Sequence, residues 1–62
     1  MKMNDILKTI QTLSLSQGFY GRLLNNIIEL KENNTEGYEE LKRTLEAQKF
    51  NDMLDVVMFF EG

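Results

Sequence analysis

The side chains that could do chemistry in this sequence are few, and most of them are carboxylates. The chain has no Cys and no His, so it lacks a thiolate nucleophile and the commonest metal ligand. The largest acidic group lies in one segment and comprises Glu36, Glu39, Glu40 and Glu46. Because Lys42 and Arg43 are interleaved with these carboxylates, the pattern is typical of a solvated helix face rather than of a metal or acid–base site. We therefore expect no enzyme, no catalytic residues, no cofactor and no metal.

The elements that carry these side chains are predicted to be helices. No β-branched run alternates with a period of two residues, and the chain contains no Pro. Apolar residues recur at helical spacing in four segments, which predicts helices at residues 4–13, 17–32, 36–47 and 52–61. The predicted fold is a single all-α domain over residues 1–62, a compact bundle of four short helices.

Helix 2 is predicted to be central because its apolar side fills about half of the helix surface, more than one neighbour can cover. That side comprises Phe19, Tyr20, Leu23, Leu24, Ile27, Ile28 and Leu30. We expect helix 2 to pack on helices 1 and 4, with helix 3 outermost. Leu23, Leu24, Ile27 and Leu54 are the predicted core, and Tyr20 is expected to bury its ring while its hydroxyl reaches solvent.

Polar residues at the predicted helix ends indicate caps. Asn4 and Ser16 are expected to cap helices 1 and 2, and Asn51 or Asp52 to cap helix 4. The pair Asn33 and Asn34 suits a left-handed cap after helix 2.

Helix 4 is apolar almost all round, with seven large apolar side chains between Met53 and Phe60. Such a helix is normally buried on every side, and a chain of 62 residues has little material to do this. We therefore predict a homodimer whose interface contains Val56, Phe59 and Phe60. Met53 and Met58 are expected to fill gaps in the core.

The polar side of helix 2 is the candidate surface for an unidentified protein partner. Its residues are Gln17, Gly18, Gly21, Arg22 and Asn25. Gly inside a helix lowers helix stability by about 1 kcal/mol relative to Ala, so the presence of Gly at position 21 calls for an explanation. Either another helix crosses against Gly21, or these residues form a flat docking surface. Arg22 either makes a surface ion pair or anchors a carboxylate or phosphate of the partner.

Two segments resemble a known group of proteins. The string Ser16-Gln-Gly-Phe-Tyr-Gly-Arg22 with the two leucines after it, together with Phe50–Glu61, resembles short uncharacterised helical proteins of bacteria and their phages or other mobile elements. The matching segments cover about a third of the chain. This resemblance implies a small helical protein without an assigned activity, and it brings no catalytic residues with it. The surplus apolar surface and the lack of site chemistry lead to the main hypothesis, a self-associating protein–protein interaction module that serves as an accessory or inhibitor protein of a phage or mobile element.

DNA binding is the alternative function, since Ile10–Leu24 has the outline of a helix-turn-helix. Its reading helix would offer Gln17, Arg22, Asn25 and Asn26, with one positive charge, and the net charge of −3 argues against nucleic acid. No apolar run is long enough for a membrane span, and no signal peptide is recognised. Together with the absence of Cys, these features predict a cytoplasmic protein.

Overall fold

A computed structural model describes all 62 residues and contains four α-helices and no strand. The helices are α1, Met3–Ser14; α2, Gly18–Asn33; α3, Thr35–Ala47; and α4, Met53–Glu61. The predicted all-α bundle is confirmed, and each predicted helix end lies within one residue of the observed end. No helix combines the length and the apolar character that crossing a membrane requires.

α2 makes the most extensive packing and lies against α1, as predicted, but its second backbone neighbour is α3, and it meets α4 through side chains alone. It lies against α1 and α3, whereas no Cα atom of α2 comes within 8 Å of one in α4. Only Asn34 separates α2 from α3, so these two helices are necessarily neighbours. The peripheral helix is therefore α4, whose backbone approaches that of α1 alone.

The core consists of eight buried side chains, none of them charged. They are Met3, Ile6, Ile10, Tyr20, Ile27, Leu45, Phe50 and Val56. The prediction is confirmed for Ile27, while Leu23 and Leu24 are half-buried and pack against this core. It is wrong for Leu54, which is 62% exposed. α4 turns Val56 inward, and Leu54 lies about 160° from Val56 around the helix at ~100° per residue.

The start of α1 is capped by a residue from α3, not by Asn4. The backbone N–H of Met3 donates to Glu46 Oε2 at 2.6 Å, and the Met1 amino group donates to the Phe50 carbonyl at 3.0 Å. Asn4 lies inside the helix, because α1 begins one residue earlier than predicted. A carboxylate at this position also complements the positive end of the helix dipole.

Of the other predicted caps, one is confirmed and two are wrong. Asp52 caps α4 by accepting from the N–H of Asp55 at 3.1 Å, as predicted. Ser16 does not cap α2; its hydroxyl donates to the Leu13 carbonyl, and Gln17 holds the N-cap position. Asn34 has φ −147° and so is not left-handed; it caps α3 instead, accepting from the N–H of Gly37 at 3.0 Å.

The end of α3 contains the one left-handed backbone residue, Lys49, with φ 55°. Its N–H donates to the Glu46 carbonyl at 3.4 Å, which is the pattern of a helix C-terminal turn where Gly is commonest. The residue after this turn, Phe50, lies in the core at 6% exposure. Phe50 falls between the predicted helices at 36–47 and 52–61 and is absent from the predicted core.

A matched pair of truncations tests the revised core. Ile27→Ala should lower the free energy of unfolding by about 2–5 kcal/mol, the range for buried aliphatic side chains. In the monomeric chain, Leu54→Ala should change it by less than about 0.5 kcal/mol, as is usual for exposed sites, so both variants are compared at a concentration low enough to prevent self-association. Urea denaturation followed by circular dichroism measures both at one protein concentration. A larger loss for Leu54→Ala than for Ile27→Ala would contradict this orientation of α4.

Candidate functional site

The most unusual surface of the molecule is the exposed side of α4. Leu54 is 62% and Met58 63% exposed, and the two side chains lie one turn apart. Met53 and Phe59 flank them and are also exposed. We call these four residues the α4 face. Single exposed apolar residues are ordinary, but a contiguous group on one helix is typical of a contact surface.

The predicted dimer interface is wrong for Val56. That side chain is fully buried within its own chain, and Phe60 is half-buried against the same core. Of the three predicted residues, only Phe59 belongs to the α4 face. The interpretation of Met53 and Met58 as core-filling residues is also wrong, since both are exposed. A surplus of apolar surface on helix 4 is present, but its most exposed residues, Leu54 and Met58, lie on the side of the helix opposite Val56.

A series of five aromatic rings fixes α4 in place. Successive rings meet edge to face, with centroid distances of 5.4, 5.0, 6.5 and 5.1 Å. In order, the rings are those of Phe50, Phe59, Phe60, Tyr20 and Phe19. Each such pair contributes about 0.5–1.5 kcal/mol beyond the area it buries. The rings link α4 to α2 across a gap that the two backbones do not close.

Tyr20 adds a polar link at the same place. Its hydroxyl donates to Glu61 Oε2 at 3.2 Å, so the buried ring was predicted correctly but the hydroxyl ends on a carboxylate instead of in solvent. Burial raises the pKa of Tyr20 above its usual value of about 10, and the charge of Glu61 and the hydrogen bond to it act in the same direction. The neutral phenol is therefore the form that the folded chain favours.

Because the pKa of Tyr20 is raised in the folded chain, the free energy of unfolding should fall at alkaline pH. Below about pH 10 both folded and unfolded chains keep the phenol proton; above it the unfolded chain loses the proton first. The stabilisation is therefore fully present below about pH 10 and is lost as pH rises towards the folded-state pKa. In denaturation curves between about pH 8 and 11, Tyr20→Phe should remove part of the alkaline decline. Tyr38→Phe removes the other phenol and is the matched control; an equal effect there would contradict the assignment.

The polar side of α2 is open to solvent, as the docking interpretation requires. Gln17, Gly18, Arg22 and Asn25 are exposed, and Gly21 is half-exposed. A Cβ atom built on Gly21 would meet nothing within 4 Å, so no helix crosses there and the packing interpretation is wrong. The Arg22 guanidinium lies over Gly18, 3.8 Å from the position of a Cβ atom on that residue. As a partner surface, this set of residues stays a prediction.

The carboxylates of α3 are not grouped around a common point that could hold a metal ion. Glu46 is occupied as the cap of α1, and no three His, Cys, Asp or Glu side chains are grouped to hold a metal ion. The surface depressions are open to solvent and are lined mostly by polar residues. One lies at the C-terminal end of α2 and is lined by Asn26, Glu29, Leu30, Asn33 and Asn34.

Comparison with known proteins gives no further guide. The chain matches no protein-family model, no curated protein and no solved structure. The resemblance of Ser16–Leu24 and Phe50–Glu61 to short proteins of bacteria and mobile elements stays an expectation. Function has to follow from the surface itself.

Gly21 offers a direct test of the space around it. Gly21→Ala should raise the free energy of unfolding by about 0.5–1 kcal/mol, because Ala favours the helix and the added methyl group meets no neighbour. Gly37→Ala is the comparison, since its Cβ would lie 2.9 Å from the Asn34 side chain that caps α3. We expect a smaller gain or a loss there. Destabilisation by Gly21→Ala in urea denaturation would show that a neighbour packs against this residue.

Proposed function

We propose that this chain is a non-enzymatic protein–protein interaction module that self-associates as a homodimer through the α4 face, and that it acts in the cytoplasm. The observation that carries the proposal is the exposure of Leu54 and Met58 on the side of α4 opposite buried Val56. A two-fold dimer lets one surface cover its own copy.

The low stability expected of a small domain supports burial of the α4 face in a dimer. Fully burying a Leu or Met side chain is worth about 1.5–3 kcal/mol. A domain of this size usually has a net stability of only about 5 kcal/mol, and the chain has no disulfide to add to it. Covering the α4 face would thus add a substantial fraction of that stability. The thioether of Met58 is flexible enough to adapt to a partner surface.

The polar side of α2 is a second, separate candidate for docking an unidentified protein. Following the resemblance to proteins of mobile elements, such docking would suit an accessory or inhibitor role. The alternative of a helix-turn-helix regulator has weaker support, because the exposed side of α2 carries Glu29 together with its one Arg, Arg22.

Self-association is tested by mass in solution. Sedimentation equilibrium at micromolar concentration should give about twice the 7.3 kDa of one chain. The double variant Leu54→Gln, Met58→Gln should weaken the dimer by about 100-fold or more, since apolar surface is lost from both copies. Gln avoids adding charge.

The control variant is Ile28→Gln, which alters an exposed apolar residue on α2. It should leave the dimer intact, and circular dichroism should show full helicity in every variant. A monomeric wild type at about 100 µM, or a double variant that dimerises like wild type, would rule out self-association through the α4 face.

A further inference from the structure

The whole net charge of the chain lies in its last segment. Residues 1–49 contain seven basic and seven acidic side chains and are neutral as a group. Residues 50–62 contain Asp52, Asp55 and Glu61 and no basic side chain, which accounts for the net charge of −3.

Two of these carboxylates, Asp55 and Glu61, border the α4 face, while Asp52 lies at the start of the helix as its N-cap. Leu54, Met58 and Glu61 follow one another at intervals of four and three residues, so they lie along one side of the helix. Asp55 precedes Met58 by three residues and lies next to it. Asp52 and Asp55 accept backbone N–H groups at the helix start, and Glu61 accepts from the Tyr20 hydroxyl. These are neutral donors, so they leave all three negative charges in place.

Charge complementarity therefore bears on what covers the α4 face. A two-fold pairing of α4 with its own copy would bring Asp55 and Glu61 of one chain close to those of the other, and like charges across an interface weaken binding. Apolar side chains one turn apart on an exposed helix can pack against the apolar stripe of another amphipathic helix. Basic residues beside the apolar stripe of such a helix would meet the carboxylate border with favourable charge.

We propose that the tighter-binding occupant of the α4 face is an amphipathic helix of a partner protein with Lys or Arg beside its apolar stripe, and that a second copy of this chain binds there more weakly. This inference rests on the proposed function, because both use the α4 face. The helix of nine residues is only about 14 Å long, so its contact area is small and the border charges weigh heavily in affinity.

Two synthetic peptides test the proposal against the intact chain. Both place Leu at one-turn spacing on a helical peptide; one carries Lys beside the Leu stripe and the other carries Glu. In fluorescence anisotropy at low salt, the Lys peptide should bind about 10-fold tighter than the Glu peptide or better, and added salt should narrow the difference. Equal affinities, or a preference for the Glu peptide, would overturn the proposal.

Charge variants locate the effect on the α4 border. Asp55→Asn with Glu61→Gln removes two border charges, while Asn can still accept from the Asn51 N–H and Gln from the Tyr20 hydroxyl. This pair should weaken binding of the Lys peptide by roughly 3- to 10-fold. Glu39→Gln with Glu40→Gln removes the same charge from α3, whose backbone does not approach α4, and should leave binding unchanged. An equal loss in both pairs would mean that net charge alone attracts the peptide.

Sedimentation without peptide separates this inference from the proposed function. A wild type that dimerises more strongly as salt rises, and binds the Lys peptide preferentially, supports both. A dimer combined with equal peptide binding refutes the basic partner and leaves self-association standing. A monomer that binds the Lys peptide, with binding lost in Leu54→Gln, Met58→Gln, supports the basic partner and refutes the dimer.

Discussion

The buried stripe of α1 is the contact on which the rest of the molecule depends. Met3, Ile6 and Ile10 are almost fully enclosed, and α1 is the one helix whose backbone approaches all three others. Its first turn is held by Glu46 of α3 and lies beside the Phe50 carbonyl. The end of α3, the turn through Lys49 and the entry to α4 therefore converge on the start of α1. The chain has no disulfide, and α1, which carries this buried stripe, is the helix that holds the other three together.

The small number of helices also explains why one apolar side of α4 stays exposed. α1 accepts Val56, and the aromatic series from Phe50 to Phe19 holds the adjoining sides of the helix. No further helix is left to cover Leu54 and Met58, because α3 is committed to α1 and α2. A short chain buries a smaller fraction of its surface than a long one, so a helix that is apolar all round must expose one side.

α4 carries both the exposed apolar residues and the unbalanced negative charge of the chain, and both affect which partners it can bind. The remainder of the chain is electrically balanced, while the segment of α4 carries carboxylates alone. An apolar side by itself would favour any apolar partner, including a second copy. The acidic border makes the α4 face selective, because it attracts a partner with basic residues beside its apolar stripe and repels one with acidic residues there.

Local sequence pattern was enough to predict the helices, their ends to within one residue, a helix 4 cap at Asn51 or Asp52, and the apolar side of α2 that contains Tyr20 and Ile27. These follow from periodicity and from contacts between residues three or four apart. Only the tertiary structure decided that Glu46 caps α1, that Phe50 is core, and that Val56 rather than Leu54 faces inward. Glu46 and Phe50 act across more than 40 positions of the chain, where local pattern carries no signal. In α4, a nearly uniform apolar surface has no periodic contrast to orient it, so packing against α1 and the neighbouring rings alone selects the buried side.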